Sequence, residues 1–416
     1  MGLGDEQVAA VLAGPTDELL AGLPPGPDWT LLLEIGAERF LVRVVDGIVR
    51  CEGAPGINAT WDVGFTVSDA EWAEFCADPP PRGATSAQAL VATRGSERIT
   101  GRREVWARAA PAIDRFLDAL RETERAPVVR HPDPAPAPPG FGPTVGRYLH
   151  LDVAGERRRI FVETAGEGPP LLCLHTAGAD SRQFRGLLED PRVTDHHQVI
   201  AFDMPWHGRS DPPDDWQHRR YTLDTTTYAA TVLAVAEALE LERPVLVGCS
   251  MGGAIALYLA AEHGERFAGV CALEGGLGSP GRFVEWTHRA DVDHSGFLAS
   301  WVGGLIAPAS PPGPRAQTLW GYASNGPGVY QGDTSFYSVD FPPIAAELGR
   351  ATCPLYVFSG EYDYSATTEM STRAAEQLGG ELVVMPGRGH FPMSEDPEGL
   401  LEHLLPVLAR LRGEAA

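Results

Sequence analysis

The stretch PVLVGCSMGGAIALYLAA, residues 244–261, runs from an apolar β-branched segment through a glycine-flanked serine into a strong helix-forming segment. Within it, Gly248-Cys249-Ser250-Met251-Gly252 fits the G-x-S-x-G nucleophile elbow, a tight strand-to-helix turn that presents a serine hydroxyl. Such a turn holds the serine in a strained backbone conformation and requires glycine wherever a Cβ would clash. The stretch therefore predicts Ser250 as a catalytic nucleophile.

A serine hydroxyl needs a neighbouring base to remove its proton near neutral pH. The apolar run Glu381–Met385 predicts a strand, and His390 in the loop after it is predicted to act first as general base and then as acid. Asp363 follows another predicted strand and completes the chain order Ser, Asp, His. Glu274, at the end of an earlier predicted strand, is the alternative acid.

Acyl transfer also requires backbone N–H groups that stabilise the developing oxyanion. One is expected from Met251, because it follows the nucleophile and begins a helix whose dipole favours negative charge. The other is expected from the loop His175-Thr176-Ala177-Gly178-Ala179, which follows the apolar run at 171–174.

After residue 143, predicted strands and helices alternate, which indicates an α/β fold with a mostly parallel sheet and helices on both faces. The predicted strands are Arg159–Glu163, Pro170–His175, Gln198–Asp203, Pro244–Cys249, Gly269–Glu274, Pro354–Gly360 and Glu381–Pro386. The predicted helices are Thr222–Leu239, Met251–His263, Thr368–Leu378 and Pro397–Arg412. Residues 279–348 are rich in proline, glycine and aromatic side chains, so they are interpreted as an inserted cap.

Residues 126–143, APVVRHPDPAPAPPGFGP, predict a linker, because alternating proline excludes helix and favours an extended spacer. The linker separates a first domain, residues 1–125, from a catalytic domain, residues 144–416. The first domain is predicted to be a small α+β domain. Its predicted elements are the strands Thr30–Ile35, Phe40–Val45 and Thr60–Val67, a hairpin at Asp46-Gly47 and an amphipathic helix at Ala109–Leu120.

The motifs after the linker resemble the α/β-hydrolase superfamily, in particular its capped esterases, lactonases, C–C hydrolases and cofactor-free haloperoxidases. The resemblance extends over about residues 147–412. It implies a Ser250-Asp363-His390 triad and an oxyanion N–H from Ala177, with neither a cofactor nor a metal. Epoxide-opening members carry aspartate at the position of Ser250, so that branch is not expected.

Two residues depart from the family pattern. The family's His-Gly is His175-Thr176 here, which puts the geometry of the oxyanion loop in question and offers a threonine hydroxyl to the substrate. Trp206 stands where a glycine is common before His207-Gly208, and it either lines the pocket or fills a core gap.

The predicted cap is dense in aromatic side chains, which favours an apolar or aromatic small molecule as substrate. The same side chains could instead form the cap's own core. The predicted substrate contacts are His175, Thr176, Trp206, Phe336 and Tyr337.

The first domain, over about residues 28–121, resembles the sterol-carrier-protein-2-like fold in its hairpin, strand ladder and final helix. That fold encloses an apolar tunnel, which would suit the acyl or polycyclic part of a substrate. The alternatives are an accessory domain that packs on the enzyme and one that pairs two copies of the chain.

A formal net charge of -23 counts against nucleic acid or an anionic membrane surface as partner. No apolar run approaches the length of a membrane span, and MGLGDEQVAA lacks the features of a secretory signal, so we expect a cytoplasmic protein.

Three functions are compatible with these residues. The first is hydrolysis of an ester, lactone or thioester through an acyl-enzyme on Ser250, as in carboxylic ester hydrolases. The second is hydrolysis of a C–C bond beside a ketone, of the meta-cleavage type, although the Gly-rich loop usual in such enzymes is absent at 175–179. The third is a lipid- or metabolite-binding protein with a vestigial hydrolase domain.

Overall fold

A computed structural model describes residues 11, 28–46, 48–53, 55–56, 58–124, 128–153, 155–282 and 284–414. The strands are β1 (Trp29–Ile35), β2 (Glu38–Val45), β3 (Ile48–Gly53), β4 (Val63–Val67), β5 (Ile99–Gly101), β6 (Val145–Val153), β7 (Glu156–Ala165), β8 (Pro170–Leu174), β9 (Gln198–Phe202), β10 (Val245–Cys249), β11 (Gly269–Leu273), β12 (Leu355–Gly360) and β13 (Glu381–Met385). The α-helices are α1 (Asp69–Phe75), α2 (Ala87–Arg94), α3 (Arg103–Glu124), α4 (Arg185–Leu188), α5 (Pro191–Thr194), α6 (Thr225–Ala238), α7 (Met251–Glu262), α8 (His294–Gly303), α9 (Pro312–Ala323), α10 (Val329–Ser335), α11 (Phe341–Ala346), α12 (Thr368–Leu378), α13 (Pro392–Glu395) and α14 (Pro397–Leu411).

The chain divides into two compact units. The first comprises residues 1–131 and 289–309, and the second comprises residues 132–288 and 310–416. The region interpreted as a cap, 279–348, is therefore shared between them, since 289–309 belongs to the first unit. Its regular elements among the described residues are helical, from α8 to α11.

The first unit is built on a five-stranded sheet in the order β3-β2-β1-β4-β5. Val45 pairs with Ile48 across the predicted two-residue turn, and Asp46 has a φ of 51°, the left-handed conformation that such hairpins require. Gly47 lies outside the described residues. The apolar faces of the sheet and of α3 form the core, in which Phe65 and Trp106 pack with ring centroids 4.9 Å apart.

The second unit is built on an eight-stranded sheet in the order β13-β12-β11-β10-β8-β9-β7-β6. Six neighbouring strands, β13, β12, β11, β10, β8 and β9, pair in parallel. Strand β7 pairs antiparallel with both of its neighbours, β6 and β9. The central strands β10 and β11 are buried along their whole length. This mixed but mostly parallel sheet confirms the α/β-hydrolase fold expected from the sequence.

The helices predicted for the second unit lie within three residues of their expected bounds, and α12 occupies Thr368–Leu378 as predicted. The predicted helix Ala109–Leu120 is the central part of the longer α3, Arg103–Glu124. Strand β6 was not predicted, because it is an edge strand whose side chains are mostly exposed and show no buried alternation. Among the described residues, none of the helices combines the length and the apolar character needed to cross a membrane.

Candidate active site

The nucleophile elbow lies between β10 and α7, at the carboxyl ends of the parallel strands. Ser250 has φ 54° and ψ −111°, and its backbone N–H donates to the Leu273 carbonyl at 2.9 Å. A Cβ on Gly248 would lie 2.1 Å from the Gly252 carbonyl oxygen, and one on Gly252 would lie 2.4 Å from the Leu174 carbonyl oxygen. Glycine is therefore required at both positions by the close approach of backbone atoms.

Replacing Gly248 with alanine is expected to lower the free energy of unfolding by about 3 kcal/mol, because the added methyl group meets backbone that cannot move without distorting the elbow. Urea denaturation would measure the change. Gly349→Ala is the matched control, since nothing lies within 4 Å of its Cβ. Equal stability of the two variants would contradict this account of the elbow.

The structure brings Ser250, His390 and Asp363 into one hydrogen-bonded chain. The Nε2 atom of His390 lies 2.8 Å from the Ser250 hydroxyl oxygen, and its Nδ1 atom lies 2.6 Å from Asp363 Oδ2. The other carboxylate oxygen of Asp363 accepts the backbone N–H groups of Ser365 at 2.6 Å and Ala366 at 3.1 Å. These two bonds hold the carboxylate in the orientation that the imidazole contacts.

Glu274, the alternative acid, lies beside this chain but does not contact the histidine. Both of its carboxyl oxygens lie within 2.9 Å of the Gly360 amide nitrogen, which donates to them. Burial raises the pKa of Glu274 well above its ordinary value, and the neighbouring charge of Asp363 raises it further. The raised pKa favours the neutral form of Glu274, and the geometry favours Asp363 as the partner of His390.

Some backbone N–H groups of the loop after β8 donate hydrogen bonds to other described residues, and one does not. The Thr176 N–H donates to Gln183 Oε1 at 3.0 Å, and the Gly178 N–H donates to Asp333 Oδ2 at 2.7 Å. Within the described parts of the chain, the N–H of Ala177 between them has no hydrogen-bond acceptor, and neither has that of Met251. The two predicted oxyanion donors are thus the N–H groups left available.

Thr176 fits this loop because the left-handed conformation falls on Gly178, with φ +63°, and not on the threonine. Its hydroxyl donates to Gln183 Oε1 at 3.1 Å and accepts from the Tyr322 hydroxyl. The departure from the family pattern therefore leaves the loop intact, and the threonine hydroxyl is engaged within the protein.

His175, predicted as a substrate contact, is a buried and neutral side chain. Its Nδ1 lies 2.8 Å from the Thr176 carbonyl oxygen, so Nδ1 carries the proton, and its Nε2 accepts the Met204 N–H at 3.0 Å. Burial lowers the pKa of His175, and the adjacent His207 lowers it further. Its role in the structure is to join the loop after β8 to the loop after β9.

His207 forms a buried ion pair with Asp333 of α10. The two side chains are 2.8 Å apart, and the His207 Nδ1 lies 2.9 Å from the Pro205 carbonyl oxygen, so both ring nitrogens face acceptors. Burial alone would lower the pKa of His207, but the Asp333 carboxylate outweighs it and raises the pKa. Asp333 also accepts the Tyr221 hydroxyl at 2.8 Å. The positive charge of His207 therefore compensates the negative charge of Asp333, the residue that accepts the Gly178 N–H of the oxyanion loop.

The stability that this pair contributes is expected to depend on pH. Because the pKa of His207 is raised in the folded protein, the contribution is complete below the ordinary value of 6.5 and is lost as pH rises through the folded-state pKa. Asp333→Asn should therefore lower the melting temperature more at pH 6 than at pH 9. The control is Asp340→Asn, which removes a carboxylate bonded to Thr225 but not to a histidine. Identical pH profiles for the two variants would contradict the pairing.

The remaining predicted substrate contacts lie in different surroundings. Trp206 adopts φ 75°, the conformation that favours glycine at this position in the family, and its ring packs 5.4 Å from that of Tyr221. Phe336 is fully buried between Phe341 and Tyr228, so it contributes to the packing of the cap. Burial raises the pKa of Tyr337 well above its ordinary value, and the neighbouring Tyr330 raises it further.

Sequence reasoning missed three buried polar residues that hold the backbone of the site. Gln183 and Asp333 accept N–H groups of the oxyanion loop, and Glu395 accepts the Gly389 N–H at 2.7 Å beside His390. They lie far from the motifs in the sequence or have no distinctive spacing. Across the described residues, no three His, Cys, Asp or Glu side chains are grouped as metal ligands.

Comparisons with known proteins agree with this geometry. Residues 171–403 match the model of the Alpha/beta hydrolase family. The chain is 35% identical over 129 residues to 2-hydroxymuconate semialdehyde hydrolase of Pseudomonas sp. strain CF600. The matched stretch covers 31% of this chain and 42% of that protein. The matches span less than half the length of the first such relatives.

Two solved structures are similar over 64% of this chain and 100% of their own. The enol-lactonase from Burkholderia xenovorans LB400 is 20% identical, with a TM-score of 0.54, which shows a shared fold. Est816, an N-acyl homoserine lactone degrading enzyme, is 27% identical, with a TM-score of 0.53.

The family model begins at residue 171, so the resemblance of residues 28–121 to the sterol-carrier-protein-2-like fold stays a prediction. For the second unit the sheet order, the elbow and the family match agree. Since the family model matches more than half of the sequence, the chain belongs to the alpha/beta hydrolase family.

Proposed function

We propose that this hydrolase cleaves a carboxylic ester, lactone or thioester of an apolar small molecule through an acyl-enzyme on Ser250. The observation that carries the proposal is the continuous chain from the Ser250 hydroxyl through His390 to Asp363, with contacts of 2.8 and 2.6 Å. A serine whose hydroxyl contacts an imidazole that is itself oriented by a carboxylate is an activated nucleophile.

In this mechanism the Ser250 oxygen attacks the substrate carbonyl while His390 Nε2 removes its proton. The Asp363 carboxylate stabilises the imidazolium that forms. The imidazolium then protonates the leaving oxygen or sulfur, and the C–O or C–S bond breaks. Water, deprotonated by His390, attacks the acyl-enzyme and releases the acid and the free serine.

The tetrahedral intermediates carry a negative oxygen, for which the N–H groups of Ala177 and Met251 are the donors we assign. Both are near the elbow and neither has an acceptor within the part of the protein described. Preorganised donors of this kind contribute roughly 10²–10³-fold to the rate of acyl transfer. The bonds of Thr176 to Gln183 and of Gly178 to Asp333 hold the Ala177 N–H in place.

Hydrolysis of p-nitrophenyl butyrate, together with labelling by a fluorophosphonate probe and peptide mapping, tests the proposal. We expect ester hydrolysis and a single covalent adduct on Ser250. Absence of labelling at Ser250 would overturn the acyl-enzyme mechanism.

A second candidate is C–C bond hydrolysis of the meta-cleavage type. It is favoured by the 35% identity to 2-hydroxymuconate semialdehyde hydrolase, although that match covers only 42% of the relative. It would use the same three side chains. Turnover of a vinylogous diketone with a kcat/KM above that for p-nitrophenyl esters would favour it over ester hydrolysis.

We further propose that the first unit either holds the apolar part of a substrate or pairs two copies of the chain. Its buried apolar core, built from its sheet and α3, supports an independently packed domain. Sedimentation of the full chain over a range of concentrations separates the two roles, since only pairing changes the mass.

A further inference from the structure

Arg282 lies in the segment that follows β11, close to the proposed active site of the second unit. Its guanidinium donates to the Ser365 hydroxyl. In the parts of the chain that the structure describes, this is its one hydrogen-bond partner, and no carboxylate lies within 4.0 Å of it. The side chain is partly buried.

Arg282 lies near the loop that carries Asp363 and near the tyrosines that pack on the oxyanion loop. The Ser365 that it contacts also donates its backbone N–H to Asp363 Oδ1 at 2.6 Å. On the other side, the charge of Arg282 interacts with Tyr330 and Tyr337. The Tyr330 ring packs so closely on the oxyanion loop that a Cβ on Gly178 would lie 2.7 Å from it. The guanidinium is therefore near the acid loop and near the cap residues that cover the oxyanion loop.

A guanidinium withdrawn from water is costly unless an anion compensates its charge. Other arginines withdrawn from solvent in this unit have such a partner: Arg182 pairs with Asp180, Arg209 with Glu163 and Arg388 with Asp396. Arg282 has only a neutral hydroxyl as its hydrogen-bond partner, with phenols beside it. The charge of Asp363 also acts on it, but that carboxylate lies beyond 4.0 Å and already contacts His390, Ser365 and Ala366. Its surroundings match a positive charge that is compensated by a ligand.

We propose that Arg282 binds a carboxylate carried by the substrate, at a position remote from the carbonyl that Ser250 attacks. The inference rests on the proposed hydrolase function and narrows its substrate class to esters, lactones or thioesters of an acid with a second, free carboxylate. A carboxylate fits better than a phosphate dianion, because one guanidinium beside phenol hydroxyls balances a single negative charge. The phenol rings of Tyr330 and Tyr337 beside Arg282 favour an apolar or aromatic segment between that carboxylate and the carbonyl.

Two probes of equal chain length test the proposal: p-nitrophenyl hydrogen glutarate, with a free carboxylate, and p-nitrophenyl methyl glutarate, in which that carboxylate is capped. For the natural protein we expect kcat/KM to be higher for the free acid than for the capped ester by about 50-fold, the size of a charge-assisted hydrogen-bond pair. Arg282→Met should remove this preference, so that the ratio of the two kcat/KM values falls to about one or below.

Arg373→Met is the matched control, because it removes an exposed arginine from α12 of the same unit and should leave the ratio unchanged. Arg282→Lys should retain part of the preference, since lysine keeps the charge but not the planar fork. A natural protein that does not prefer the free acid overturns the proposal even if Arg282→Met fails to fold. Labelling of Ser250 by the fluorophosphonate separates the failures: a labelled protein without the preference refutes only the carboxylate site, and an unlabelled one refutes the hydrolase mechanism.

Discussion

Replacing Ser250 with alanine is expected to lower kcat for p-nitrophenyl butyrate by at least about 10⁴-fold, because no other group can form the acyl-enzyme. The substitution removes one oxygen atom and leaves the backbone of the elbow unchanged. Fluorophosphonate labelling should disappear together with the activity, while substrate binding is largely retained. Steady-state kinetics and intact-mass spectrometry would measure both changes.

Ser371→Ala is a suitable control for this experiment, since Ser371 is also buried but lies on α12 outside the hydrogen-bonded chain. It should retain the activity and the labelling of the natural protein. Full activity in Ser250→Ala would contradict the nucleophile assignment, and it would renew the hypothesis that binding by the first domain is the main function.

Replacing Asp363 with asparagine is expected to lower kcat by about 10⁴-fold, because an amide at this position leaves the imidazolium without a counter-charge and favours the wrong tautomer of His390. Asparagine has nearly the same shape as aspartate, and its carbonyl oxygen can still accept the Ser365 and Ala366 N–H groups that hold the carboxylate. The fold should therefore survive, and the loss should appear in kcat with little change in the melting temperature.

Glu274→Gln is the matched control, because Glu274 is an equally buried carboxyl beside Asp363. Burial raises the pKa of Glu274, which favours its neutral form, and glutamine is a neutral side chain of nearly the same shape. We expect a decrease in kcat of less than about 10-fold for this variant. A large loss in Glu274→Gln with a small one in Asp363→Asn would reverse the assignment of the acid.

Much of the second unit could be predicted because its parallel strands are buried on both faces. Such strands appear in the sequence as short apolar runs, as at Val245–Cys249 and Gly269–Leu273, and the helices between them have clear bounds. The exposed edge strand β6 has no such run, so only its pairing with β7 reveals it. The segment 289–309 is a similar case, because its membership in the first unit depends on packing and not on local pattern.

Ser250, Asp363 and His390 could be predicted because each lies in the turn or loop that follows a strand of the same sheet, where the chain order of the fold assigns its position. The sequence favoured Asp363 over Glu274 by its place in the chain order alone, since both follow buried strands. Only the direction of each side chain separates them: Asp363 contacts the imidazole, and Glu274 accepts from Gly360.

The sequence by itself determined the fold of the second unit, the nucleophile elbow and the order of the three catalytic candidates, because these depend on local periodicity and on short motifs. The tertiary structure alone decided that Asp333 and His207 hold the oxyanion loop, and that the Arg282 guanidinium has, among the described residues, a hydroxyl as its one hydrogen-bond partner. These contacts join residues that are 126 to 155 positions apart, or 83 in the case of Arg282 and Ser365. No sequence pattern carries such information, because charge compensation in a buried site depends on which side chains meet after the chain has folded.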